Sequence, residues 1–257
     1  MCVALGVIEL QAQAISGLNR DQYLAKVKLV SQFFSRFNGK ETKEGLALED
    51  RVSNVKMLFD LSKFKSNDDP GYLRADTFAR RVVSDSITLH YTDPQWFAKV
   101  GCSGKLKGKP VKFTLYLNVE NRKENMYKWV IKNAEGSIFK TDRYQGDDQL
   151  FILPNDHEQF FMSLSKLTSE THELIDEYLR KDYKPSSLTI FETLVRQGLL
   201  KIEHTDEVEF IFMQVPGYIF TLKHFERESK NAGWLIDTLT ECSEQEKIKM
   251  MEQLTAR

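Results

Sequence analysis

The chain predicts an α+β fold: N-terminal helices packed on a curved antiparallel sheet of about six strands, with a helical insertion before the last two strands. Three observations carry this. Val111 to Val119 reads V-K-F-T-L-Y-L-N-V, an unbroken alternation of apolar and polar residues that puts one face of a strand on a core and leaves the other polar. Such a half-buried strand belongs to an antiparallel sheet. Apolar residues at helical spacing precede this segment, and the helical period returns after Pro154.

Tyr23, Val27, Val30, Phe34 and Phe37 step by three and four, the stripe of an amphipathic helix. Asn19 with Gln22 resembles a capping box and Gly39 supplies the stop. A second stripe runs through Leu48, Val52, Val55 and Phe59. Asp69-Pro70 reads as an N-cap followed by proline at the first helical position, opening a third helix through Phe78 and Val82. Beyond Asp85 the period falls to two. Ile87 to Tyr91, Trp96 to Cys102, Val111 to Val119 and Met126 to Ile131 predict a four-stranded meander.

Asn155 with Glu158 marks another helix start, and Ser187 caps a shorter helix stopped at Gly198. Two strands, Glu207 to Val215 and Tyr218 to Glu226, turn at Pro216-Gly217, and the charged tail from Ser243 predicts a short helix. Most of the aromatic residues Trp96, Tyr116, Tyr127, Trp129, Phe210, Phe212, Tyr218, Phe220 and Trp234 are assigned to the core, where large rings fill the curve of the sheet.

With 36 basic against 37 acidic residues among 257, and a pI near 6.5, no global field draws in nucleic acid or an anionic surface. No apolar run is long enough for a transmembrane helix. The first residues, M-C-V-A-L-G-V-I-E-L-Q-A-Q-A, end in a small-x-small pattern at Ala12 to Ala14. They read as an export signal, residues 1–14, that lacks its basic start. On this reading the mature chain is one domain, 15–257, with its helical insertion at 155–198, and lies in the periplasm or outside the cell. The alternative is an ordinary first helical turn of a cytoplasmic protein.

Removing residues 1–14 leaves Cys102 and Cys242, which either close one disulfide in an oxidising compartment or pack as two small apolar thiols. The five histidines show no metal-ligand spacing. His157-Glu158 and His172-Glu173 begin like a zinc-protease helix but lack the second histidine. Gly104, Gly108 and Lys109 form a phosphate-loop pattern one residue short, and Pro110 stands where a hydroxyl is required. No G-x-S-x-G elbow occurs. These patterns call for no cofactor and no metal.

The polar side of the 111–119 strand presents Lys112, Thr114, Tyr116, Asn118 and, one step on, Glu120. It is either a wet outer surface or a pocket wall with convergent polar groups. The leading expectation is therefore an exported, non-catalytic module that binds a small molecule or a protein through this row. An acid–base enzyme would instead use His90 or His224 with a carboxylate such as Glu120 or Glu226. An adaptor would dock through the inserted helices.

The segments W-F-A-K-V at Trp96 to Val100, M-Y-K-W-V-I at Met126 to Ile131 and N-A-G-W-L-I at Asn231 to Ile236, in a chain that begins with helices, resemble the nuclear transport factor 2-like superfamily. They are also similar to uncharacterised exported bacterial proteins of this layout. The resemblance spans Leu18 to Asp237 and implies a cone of bent sheet with a cavity at its open end, used in that superfamily by isomerases, dehydratases, binding modules and transport adaptors. The helical stretch Asn155 to Gly198 departs from the pattern and would cap or fill such a cavity. The superfamily's facing aspartate and histidine have no match by motif in this sequence.

Overall fold

The structure, a computed structural model, describes residues 29–41, 50–123, 126–140, 157–168, 175–180, 183–229 and 231–255. The signal-like residues 1–14, the Asn19 cap, Tyr23, Val27, Leu48, Asn155 and His172 lie outside them.

Three helices form the first layer: α1 (Val30–Phe37), α2 (Arg51–Lys56) and α3 (Pro70–Ser84). Phe33, Phe34 and Phe37 of α1 are buried, while Val30 at the start of its apolar stripe is half-buried. The Asp69 carboxylate accepts the Gly71 amide and Pro70 opens α3. This is the predicted start, in which the side chain satisfies a donor that the first turn leaves orphaned. Asp50 caps α2 in the same way through the Ser53 amide.

The sheet contains β1 (Trp96–Leu106), β2 (Lys109–Lys123), β3 (Met126–Glu135), β4 (Leu200–Phe212), β5 (Tyr218–Phe225) and β6 (Gly233–Glu241). Its order is β3-β2-β1-β4-β5-β6, with every neighbouring pair antiparallel. The predicted fold class holds: helices, then a curved and unclosed six-stranded sheet, with helical structure ahead of the closing strands. Between β3 and β4 lie α4 (Leu164–Leu167), α5 (Ile175–Tyr178) and α6 (Ser187–Arg196). Ser186 caps α6, and Gly198, at φ 69°, ends it.

The sixth strand is β6, and Ile87 to Tyr91 is not a strand. The reason is local bonding. Asn38 takes both the amide and the carbonyl of Leu89, Arg51 takes the Ile87 carbonyl, and Gln214 takes both backbone groups of His90. Side chains from three other elements thus supply what a ladder would have supplied.

Lys107 and Gly108 both have positive φ, 49° and 82°, closing β1 onto β2 by the two-residue turn whose twist suits a hairpin. Bulges in the β1–β4 register fall at Gly101/Cys102 and Ser103/Gly104. At the second, a Cβ on Gly104 would run into the Lys201 carbonyl oxygen, so the approach of the two strands there requires glycine. β4 meets β5 only from Phe210 to Phe212. Its outer edge from Lys201 to Glu209 has no strand partner among the described residues. Lys201, Glu203, Asp206 and Glu207 line that edge, and charge is a common guard against edge-to-edge association.

The alternation along β1 and β2 places Trp96, Ala98, Val100, Cys102, Phe113, Leu115, Leu117 and Val119 on one face. This face is concave. Trp129 of β3 and Phe210 of β4 bring their ring centroids to 6.1 Å, although β2 and β1 separate their strands by roughly 14 Å in a flat sheet. The three N-terminal helices cover one end of the concave face, Phe33, Phe34, Phe37 and Phe78 packing on Phe212, Phe220 and Leu222. Helix α6 covers the other end, with Phe191 on Phe113, Leu115 and Cys102. On the convex face, α7 (Glu244–Leu254) lays Met251 and Leu254 against Phe97, Ile211, Met213 and Ile219. The Lys247 ammonium of α7 is buried and donates to the Val215 carbonyl at 2.7 Å, with Glu244 at 2.9 Å.

Candidate functional site

The polar row of β2 lies on the convex side, and its five members meet different fates. Lys112 is exposed and Thr114 half-buried. Tyr116 is nearly buried and donates its hydroxyl to Glu135 Oε2 at 2.7 Å. Burial, and then that carboxylate, push the phenol far above its ordinary range, so it stays a neutral donor. Tyr116 lines a recess of about 460 Å³ together with Asn133, Glu135, Lys140, Ser187 and Gln253. Asn118 is buried, and its amide donates to the Pro94 and Trp96 carbonyls at 2.6 and 2.8 Å. It pins the chain entering β1 and has a structural task. Glu120 pairs with Lys132 at 2.9 Å and Arg122 at 3.3 Å. The Lys132 hydrogen bond is the largest influence holding its carboxyl below the usual range, with Lys128 adding a weaker pull. The row therefore supplies one cavity residue, one structural anchor and one surface ion pair, with two members left on the face.

The acid–base candidates stand apart. The His90 ring lies 3.0 Å from Thr88 Oγ1 and is exposed. His224 is exposed on β5, its ring edge-to-face with Trp234 at 5.3 Å. Glu226 is exposed beyond the end of β5. Among the described residues no histidine stands within ion-pair or hydrogen-bonding distance of a carboxylate, and no cluster of three metal-ligating side chains occurs. The disulfide considered between Cys102 and Cys242 is not formed: both are free thiols. Cys102 packs beneath α6 on the concave face, while Cys242 packs beside α7 in the cluster on the other face. Burial raises both thiols above their ordinary value, which lowers their reactivity as nucleophiles.

The strongest concentration of binding chemistry lies on the concave face, between the helical covers. Val30, Tyr91, Trp96, Val119, Tyr127, Trp129 and Phe210, with Lys128 at the rim, line a cleft of about 330 Å³. Tyr91 stacks on Phe34 of α1 at 3.9 Å, and its carbonyl accepts the Trp96 indole N–H at 3.1 Å. Trp129 stands edge-on to Trp96 at 4.5 Å. Phe210 touches both, and the ring series runs on to Trp234 at 5.0 Å and thence to His224. Trp96 is 4% exposed, whereas Tyr91, Tyr127 and Trp129 are 46, 39 and 37% exposed. The floor is thus fixed and the upper rings meet water.

A reading that places most of the aromatics, Trp96, Tyr127, Trp129 and Phe210 among them, in the core does not reveal this cleft. One signal was present: Met126, Tyr127 and Trp129 are clustered at the start of β3, the last strand of the β1–β2–β3 meander, which the topology makes an outer edge. Large rings there gain cover from one side only.

No protein-family model, no curated protein and no solved structure matches the chain.

Proposed function

We propose that the protein is a non-catalytic binding module whose site for a small molecule is the aromatic cleft of the concave face. One observation carries this reading: Trp129 is held against the buried Trp96 yet keeps 37% of its surface in water. Large rings left open above a rigid apolar floor favour a ligand with a flat apolar face, and a pocket that is mostly aromatic with a few polar tips is the common form of a small-molecule site. The resemblance to the nuclear transport factor 2-like fold belongs to the same proposal. It is supported by the order of helices before a bent antiparallel sheet and by the cleft's place on the concave side.

Indole, a neutral planar probe, is expected to bind the full chain and perturb the fluorescence of Trp96 and Trp129. Trp129→Ala is expected to weaken it at least ~tenfold while moving the melting temperature little, because this ring is already partly hydrated. Equal indole binding by wild type and variant overturns the assignment of the cleft.

Export is part of the proposal and rests on residues 1–14. The intact mass of the chain isolated from its own cells is expected to correspond to a start at Ile15. A mass that includes Met1 refutes export.

A further inference from the structure

We infer that the ligand of the aromatic cleft is a neutral saccharide, lying with the C–H face of its rings on Trp129 and Phe210 and turning its hydroxyls to the polar tips around them. The inference rests on the binding reading above and supplies its ligand class.

Charge narrows the choice first. Of the residues along the cleft only Lys128 is charged, and strand alternation sends its side chain to the opposite face from Tyr127 and Trp129. It sits across the ladder from Glu120. Among the described residues, the concave lining of the cleft therefore offers no cation for a phosphate or carboxylate and no anion for an amine. Phosphorylated and ionic ligands would be desolvated there with nothing to replace their water.

The polar tips narrow it further. The Trp96 indole N–H is already engaged by the Tyr91 carbonyl. The indole N–H groups of Trp129 and Trp234, the hydroxyls of Tyr91 and Tyr127 and the ring nitrogens of His224 make no hydrogen bond among the described residues. The ring series thus carries an unengaged margin of donors and acceptors. A purely apolar ligand would cover these groups without replacing their water, and each one buried unpaired opposes binding. A pyranose satisfies both features, since its axial C–H groups form a flat apolar patch and its equatorial hydroxyls project around it.

Extent gives a third constraint. Trp129 to Phe210 spans 6.1 Å and Phe210 to Trp234 a further 5.0 Å between centroids. That path is longer than one sugar ring, so the series suits an oligosaccharide of at least two units.

The test is calorimetric titration of the full chain with neutral hexasaccharides of α- and β-linked glucose, of mannose, of galactose and of N-acetylglucosamine, with indole in parallel. At least one hexasaccharide is expected to bind more tightly than its monosaccharide and with no dependence on ionic strength. Trp129→Ala and Trp234→Ala are each expected to weaken it about tenfold or more. Lys140→Ala, in the recess on the other face, is expected to leave it unchanged. Indole binding that is lost in Trp129→Ala, with none of the hexasaccharides bound, overturns the saccharide class and leaves the cleft as a site. Failure of indole and of every hexasaccharide overturns both. Saccharide binding that survives both tryptophan variants places the sugar elsewhere and also refutes the inference.

Discussion

Phe212→Ala is expected to destabilise the protein by about 3–5 kcal/mol, the range for truncating a fully buried phenylalanine. Phe212 has no exposed surface and joins four rings: Phe220 stacked at 4.9 Å, Trp96 at 5.2 Å, Phe34 at 5.5 Å and Phe33 at 6.0 Å. These partners come from α1, β1 and β5, so the cavity would open where the first helical layer meets the sheet. None of them can collapse into the space without leaving another contact, and the surrounding structure therefore recovers little of the loss. At roughly 2–4 °C per kcal/mol for a chain of this size, the melting temperature should fall by about 10 °C. Phe212→Leu keeps most of the volume and is expected to cost less than half as much. Denaturant unfolding of the three proteins decides the matter, and a loss below about 1 kcal/mol for the alanine variant would show that the site relaxes. Because Trp96 packs on Phe212 and forms the floor of the cleft, the alanine variant is also expected to weaken indole binding.

The elements most legible in the sequence are those whose stabilisation is local or one-sided. Helix α3 is announced by Asp69-Pro70, and β2 by an alternation that one packed face imposes. Elements were misjudged where distant parts of the chain decide. Ile87 to Tyr91 alternates like a strand, but Asn38, Arg51 and Gln214 occupy its backbone groups, a pairing no local pattern encodes. β6 shows no clean alternation because Leu235 and Ile236, adjacent in sequence, are both buried in the same core cluster. β4 starts seven residues before Glu207, its predicted start, since its first half, K-I-E-H-T-D-E, is exposed on both faces and carries no apolar period. The candidate site failed for a related reason. Alternation places Tyr116 and Asn118 on the polar face, but says nothing of the Pro94 and Trp96 carbonyls waiting beneath Asn118. Whether Trp129 is core or cleft depends on where α1 and α6 stop covering the sheet.

The second large effect is expected at the seam between the N-terminal layer and the last strands. The loop after α2 runs beside β6, with Phe59 bridged to Ile236, and Asn231 bonded to the Met57 and Phe59 carbonyls and the Leu61 amide. At its centre the Asp60 carboxylate, 4% exposed, accepts from Arg227 at 2.7 Å and from the Ser62 hydroxyl at 2.6 Å. Burial pushes this carboxyl up, but the bonds from Ser62 and Arg227 together outweigh it and hold it below its ordinary value of 3.8.

Arg227→Met leaves that buried charge without its cation and is expected to cost about 3 kcal/mol at neutral pH. This is the low end of the range for breaking a buried pair, because the arginine keeps 26% of its side chain in water. The pH dependence follows from the sign of the shift. In the wild type a depressed carboxyl contributes stability that is present above 3.8 and lost as pH falls through the lower, folded value. In the variant the pull of Arg227 is gone, the folded value rises relative to that of the wild type, and the deficit develops as pH climbs past the wild-type value. The gap between the two proteins should therefore narrow on acidification from pH ~7 to ~4. Asp60→Asn combined with Arg227→Met removes both charges, and should recover more than ~1 kcal/mol relative to the sum of the single losses. Strictly additive losses, or a gap that widens in acid, would show that the pair does not hold the seam.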